Sequence, residues 1–212
     1  MQSCYMKENW AEENLQTIRT LMERSAVYRR ALAPIVIFAG VMGILAAAAG
    51  LIFHFDTSRE FSFFWLLTAI VVVFGALMIA RQQAFKESEV FWSPPTRRIA
   101  QALLPPLAIG MVLGVVLSVS NDEANGLLPL SWALLYGCAL HSAGFFISRG
   151  VRWFGWIYIL LALSFLLFYV IVGSYHFIPD LNPNWLMGFF FGVLHLAYGA
   201  YLYLTEKGKN AA

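Results

Sequence analysis

Two histidines have the widest chemical scope in this sequence, His141 and His195, each set inside a long uncharged apolar run. Their surroundings repeat, Leu140-His141-Ser142-Ala143 against Leu194-His195-Leu196-Ala197. An imidazole can hydrogen-bond, move a proton or bind a metal through either ring nitrogen. In the plainest reading each ring hydrogen-bonds to a neighbouring helix, through Tyr136, Tyr198, Ser142 or Thr68. In a second, His141, His195 and Ser142 line a solute pathway beside the Pro105-Pro106 pair. In a third, the two imidazoles are axial ligands of haem b, which needs them on facing helices with small residues alongside. Glycines supply such room: Gly137, His141, Gly144 and Ser148 share one helical stripe, and Gly188, Gly192, His195 and Gly199 another. Both histidines are therefore expected to point into a bundle, with these glycines as helix-packing positions.

Other chemistry has little to stand on. The apolar runs hold no Asp, Glu, Lys or Arg well inside them, and the chain has no HExxH, GxSxG, P-loop or CxxC pattern. No enzymatic activity and no catalytic residue are expected, and haem is the one cofactor the histidines raise. His54 and His176 lie near Asp56 and Asp180 but are not spaced as ligands on one element. They read as interfacial histidines, with no metal site. Cys4 and Cys138 cannot make a disulfide framework.

The elements that must hold the histidines follow from composition. The chain has 212 residues, 60% hydrophobic and 12% charged, with a mean hydropathy of +0.68. A soluble domain carries about 25% charge, so a soluble fold, a disordered chain and a nucleic-acid partner are excluded. Uncharged runs long enough to cross the bilayer predict helices near 33–53, 62–80, 99–119, 128–148, 153–174 and 185–204. The expected fold is an all-α integral membrane bundle of six helices over 31–205. An N-terminal amphipathic segment, 1–30, precedes it and a short tail, 206–212, follows.

Every Lys and Arg except Arg59 falls on one side of these spans, while Asp56, Glu60, Asp122, Glu123 and Asp180 fall on the other. The positive-inside rule then puts both termini in the cytoplasm and the chain in the inner or plasma membrane. Trp65, Trp132 and Trp185 mark the outer interface, and Trp92, Trp153 and Trp156 the inner one. In the N-terminal segment, Ala11, Leu15, Ile18, Met22 and Ala26 form one apolar stripe, capped by Asn9 with Glu12. Residues 9–30 either lie on the inner leaflet or dock a cytoplasmic partner or a second protomer.

Phe91-Trp92-Ser93-Pro94-Pro95 reads as a re-entry turn in which the prolines end a helix, and Pro105-Pro106 should kink the third span. Gly110, Gly114 and Ser118 give that span a close-packing face, as Ala39, Gly43, Ala47 and Gly50 do in the first. Function stays open between three classes. They are a membrane-embedded binding or accessory protein, a small permease or channel (for which a homodimer would enclose the pathway), and a haem electron carrier.

Overall fold

The computed structural model describes residues 32–55, 57–86, 88, 91–119, 127–171 and 182–210. The amphipathic stretch 9–30, Cys4, Asp56, Asp122, Glu123, His176 and Asp180 lie outside the described residues. Within them the chain is helical and no strand occurs. The helices are α1 (Leu32–Ile52), α2 (Ser58–Lys86), α3 (Pro94–Val119), α4 (Leu127–Ala143), α5 (Arg149–Ile171) and α6 (Pro183–Met187). A π-helical segment, Gly188–Val193, then leads without a break into α7 (Leu194–Asn210). Five rods are long and apolar enough to cross a membrane, counting Pro183–Thr205 as one, and α4 is a shorter apolar helix.

Helix ends differ from the expected boundaries for local reasons. α2 starts earlier because Thr57 caps it: the Glu60 N–H donates to Thr57 Oγ1 at 3.3 Å, and that hydroxyl donates to Glu60 Oε2 at 2.9 Å. It also runs on through Arg81 to Lys86, since charge marks where a chain leaves hydrocarbon and does not stop a helix. Pro94 and Pro95 open α3 instead of closing a helix, because the first helical turn has no use for their missing N–H groups. α3 then continues as one helix through Pro105 and Pro106.

α4 is the largest departure, ending at Ala143 and not near 148. A tight turn follows, in which Phe146 N–H donates to the Ala143 carbonyl at 2.9 Å. The residues of this turn are apolar, so hydropathy carries no mark of it. α1 closes on a left-handed residue, His54 with φ 53°, across which the Phe55 N–H reaches the Gly50 carbonyl at 3.1 Å. That is a Schellman-type ending, with histidine where glycine is usual.

Packing rests on small residues. α1 and the sixth rod run antiparallel along a seam in which Ile37 faces Gly199, Gly40 faces Leu196, Ile44 faces Gly192 and Ala47 faces Gly188. A methyl group on Gly188 would stand 2.7 Å from Ala47 Cβ, and one on Gly192 2.6 Å from Ile44 Cδ1. α4 and α5 are joined in the same way, Gly137 against Tyr158 and Gly144 against Arg152.

Two apolar cores result. One gathers Ala46, Ala47, Phe61, Trp65, Leu128, Trp132 and Met187 from α1, α2, α4 and α6. The other gathers Leu130, Ala133, Phe154, Tyr158, Ala162, Leu186 and Phe190 from α4, α5 and the sixth rod. The outer faces of α2, α3 and α5 are apolar, with Phe74, Val112 and Leu160 among many exposed large side chains.

Candidate functional site

His195 is the polar centre of the second core. It is the second residue of α7, directly after the π segment, and is 2% exposed. Its Nε2 lies 2.8 Å from the Tyr136 hydroxyl on α4, and its Nδ1 2.9 Å from the Tyr158 hydroxyl on α5. The Tyr158 hydroxyl donates to the Phe190 carbonyl in the π segment, which also lies 3.3 Å from Nδ1.

The proton positions follow from what each atom can do. A carbonyl only accepts, so the Tyr158 proton is committed to Phe190 and its oxygen is free to accept. Nδ1 is then the protonated nitrogen and donates to Tyr158. Nε2 is left as an acceptor for the Tyr136 O–H. The assignment comes from the bonding pattern, and it leaves a neutral imidazole with both nitrogens satisfied.

Aromatic rings enclose this chain of bonds. Phe191 stacks on the imidazole at 6.1 Å, and Phe154 meets it edge-on at 5.7 Å. Phe154 in turn stacks on Tyr198 at 4.2 Å. The π segment fits this arrangement: its wider turn re-aims the carbonyl and ring positions just before His195.

His141 lies elsewhere. Because α4 ends at Ala143, His141 occupies its last turn and not the middle of a span. The Gly137, His141, Gly144 stripe packs on α5, where a methyl on Gly155 would meet the His141 backbone. The His141 ring is half-buried, edge-on to Phe145 at 5.3 Å and to Trp156 at 5.2 Å, and its buried Nδ1 has no hydrogen-bond partner. It shares no ring neighbour with His195, and Ser142 beside it is also half-buried. His195 thus lies in the core of the bundle, whereas His141 sits half-buried in the seam between α4 and α5. Axial ligation by the pair would require His195 to give up at least one tyrosine bond and His141 to leave its seam.

The packing glycines lie against neighbouring helices. Gly188, Gly192 and Gly199 meet α1, Gly137 and Gly144 meet α5, and Gly110 and Gly114 receive Trp132. In the first span the close-contact face is Gly40, Gly43, Ala47 and Gly50, so Gly40 stands where Ala39 was expected.

A second polar node escaped the sequence reading. Asn184, 0% exposed, accepts from Trp65 Nε1 at 2.8 Å. Its amide donates to Asn182 Oδ1 at 2.9 Å and to the Phe55 carbonyl at 3.4 Å. It ties the end of α1, the start of α2 and the start of α6 together. The sequence signal available was an Asn followed at once by a Trp that is expected at an interface. Among the described residues no group of three or more His, Cys, Asp or Glu could hold a metal ion, and Cys138 is a free, half-buried thiol. Comparison with known proteins finds no family model, no curated protein and no solved structure that matches this chain.

Proposed function

We propose that this chain is a six-helix protein of the cell membrane, with both termini cytoplasmic, that works as a binding or accessory protein without enzymatic activity. The observation that carries this reading is the His195 node. Its hydrogen-bonding groups are turned on one another inside a shell of rings, which makes it a lock between α4, α5 and the sixth rod. A locked interior leaves the surfaces to do the work: the apolar exterior toward lipid or a membrane partner, and residues 9–30 toward a cytoplasmic one.

The test is recovery of a partner. Membranes extracted into polymer discs, crosslinked and purified on this chain, should hold a second protein in fixed ratio to it. Discs containing only this chain and lipid, from the cells that normally make it, would refute the reading.

A second reading, a small permease for a neutral or weakly polar solute, has one observation in its favour. Ser58 and Ser62, at 3% and 0% exposure, keep buried hydroxyls with no hydrogen-bond partner. Such groups normally find a partner or a water, so they offer a polar foothold at the Asn184 end of the bundle. Solute flux into proteoliposomes above that of empty vesicles, lost in Ser62→Val, would favour it over the first reading.

A further inference from the structure

The turn between α4 and α5 carries a second cluster that the His195 node does not use. Arg152 lies with its guanidinium carbon 4.9 Å above the Phe145 ring, and the other neighbour of that ring is His141. Gly144 lets the turn close on the start of α5 at this point, since a methyl there would stand 2.5 Å from Arg152 N. Arg149, Arg152, Trp153 and Trp156 recur at three- and four-residue spacing along the start of α5. Trp153 and Trp156 are 67% and 41% exposed, and Phe145 is 63% exposed.

Among the described side chains no carboxylate faces these charges. The one carboxylate among them is Glu60, and it is bonded to Thr57 at the other end of the bundle. His141 Nδ1 is buried without a partner beside the same rings. Two guanidinium groups and exposed indoles within the first two turns of α5 match a ligand that is anionic at its head and apolar in its tail. Arginine binds phosphate oxygens in a fork that lysine does not reproduce. Cation–π contact with Phe145 holds Arg152 in place for it.

We infer that the α4–α5 turn binds an anionic phospholipid, with Arg149 and Arg152 on its phosphodiester and Phe145, Trp153 and Trp156 along its acyl chains. This rests on the membrane reading above, and names a ligand for one place on that surface.

The test is native mass spectrometry of the delipidated full-length protein in detergent, titrated with dioleoylphosphatidylglycerol or dioleoylphosphatidylcholine. The glycerol lipid should bind more tightly. At about 1 kcal/mol for each basic residue, Arg149→Ala and Arg152→Ala should each weaken it about fivefold. Arg152→Lys keeps charge and fold while losing the fork, and should still weaken binding. Arg97→Ala with Arg98→Ala, at the same end of the molecule, should change it less than twofold. Equal binding of the two lipids would overturn the proposal, as would a loss in the Arg97/Arg98 double variant matching that of Arg149→Ala with Arg152→Ala. Full displacement by inorganic phosphate would also overturn it, by making the site one for free anions. Failure of the membrane reading itself would look different: alkaline carbonate would release the protein from membranes, whatever its lipid preference.

Discussion

An imidazole in an apolar bundle loses water from two nitrogens, and His195 replaces both contacts with tyrosine hydroxyls from different helices. The two tyrosines are not equivalent. Tyr136 makes one bond to the node, whereas Tyr158 accepts from His195 and donates to Phe190. Hydrogen bonds between membrane helices are worth about 0.6 kcal/mol on average, and a buried donor left unpaired costs about 1–3 kcal/mol. Tyr136→Phe is therefore expected to lower stability by about 1 kcal/mol and Tyr158→Phe by about 2 kcal/mol, read from thermal unfolding in detergent. Equal losses, or a larger one at Tyr136, would mean that Tyr158 does not carry two bonds at this node. The sequence reading reached His195 and, among its hydrogen-bond candidates, Tyr136. Tyr158 was out of reach because nothing in an aromatic-rich span distinguishes the one hydroxyl that faces a histidine on another rod. The Phe190 carbonyl was further out of reach, since it depends on a π turn that the spacing of Gly188 and Gly192 does not announce.

At the scale of elements, glycine spacing was more informative than hydropathy. Hydropathy found the rods but misplaced their ends, because the turn after Ala143 is as apolar as the helix before it and α2 stays helical through its charged end. The glycine stripes named contact faces, and the close approaches lie on them. Those contacts differ in severity, which gives an ordered prediction. Alanine is favoured over glycine inside a helix by about 1 kcal/mol, so only the neighbour decides the sign. At Gly110 a methyl group would meet Trp132 Cδ1 at 3.5 Å, an ordinary contact. At Gly43 it would collide with the backbone carbonyl of Phe191, which cannot rotate away. Gly110→Ala should be neutral or slightly stabilising, while Gly43→Ala should cost about 1–3 kcal/mol by forcing α1 off the sixth rod. Unfolding of both variants in the same detergent checks the order, and a stable Gly43→Ala protein would mean that the α1 seam is looser than described.

For the whole molecule, the distribution of charge and the distribution of packing support one frame. Arg81, Lys86, Arg97, Arg98, Arg149 and Arg152 lie where α2 ends, α3 begins, and α4 gives way to α5. α4 packs antiparallel on α5, and α1 packs antiparallel on the sixth rod, as alternating rods would. The loop after α1, with Arg59, Glu60 and the Asn184 node, then falls at the opposite end. In the proposed membrane frame an even number of crossings would return the chain to the side from which it began, so α4, the shortest rod, would decide the topology. Its 17 residues span about 26 Å at 1.5 Å per residue, a little under the roughly 30 Å of hydrocarbon. The turn at 144–148 and local thinning of the bilayer make up such a difference at modest cost. If α4 crosses, single cysteines at Arg97 and Ser148 should share one side and one at Thr57 should take the other, in a Cys4→Ala, Cys138→Ala background. A membrane-impermeant maleimide added to intact cells should label the Thr57 position alone, and the other two only after the membrane is opened. Labelling at Ser148 together with Thr57 in intact cells would mean that α3 and α4 do not cross as a pair. The carboxyl end would then lie on a different side from the arginines between α2 and α3.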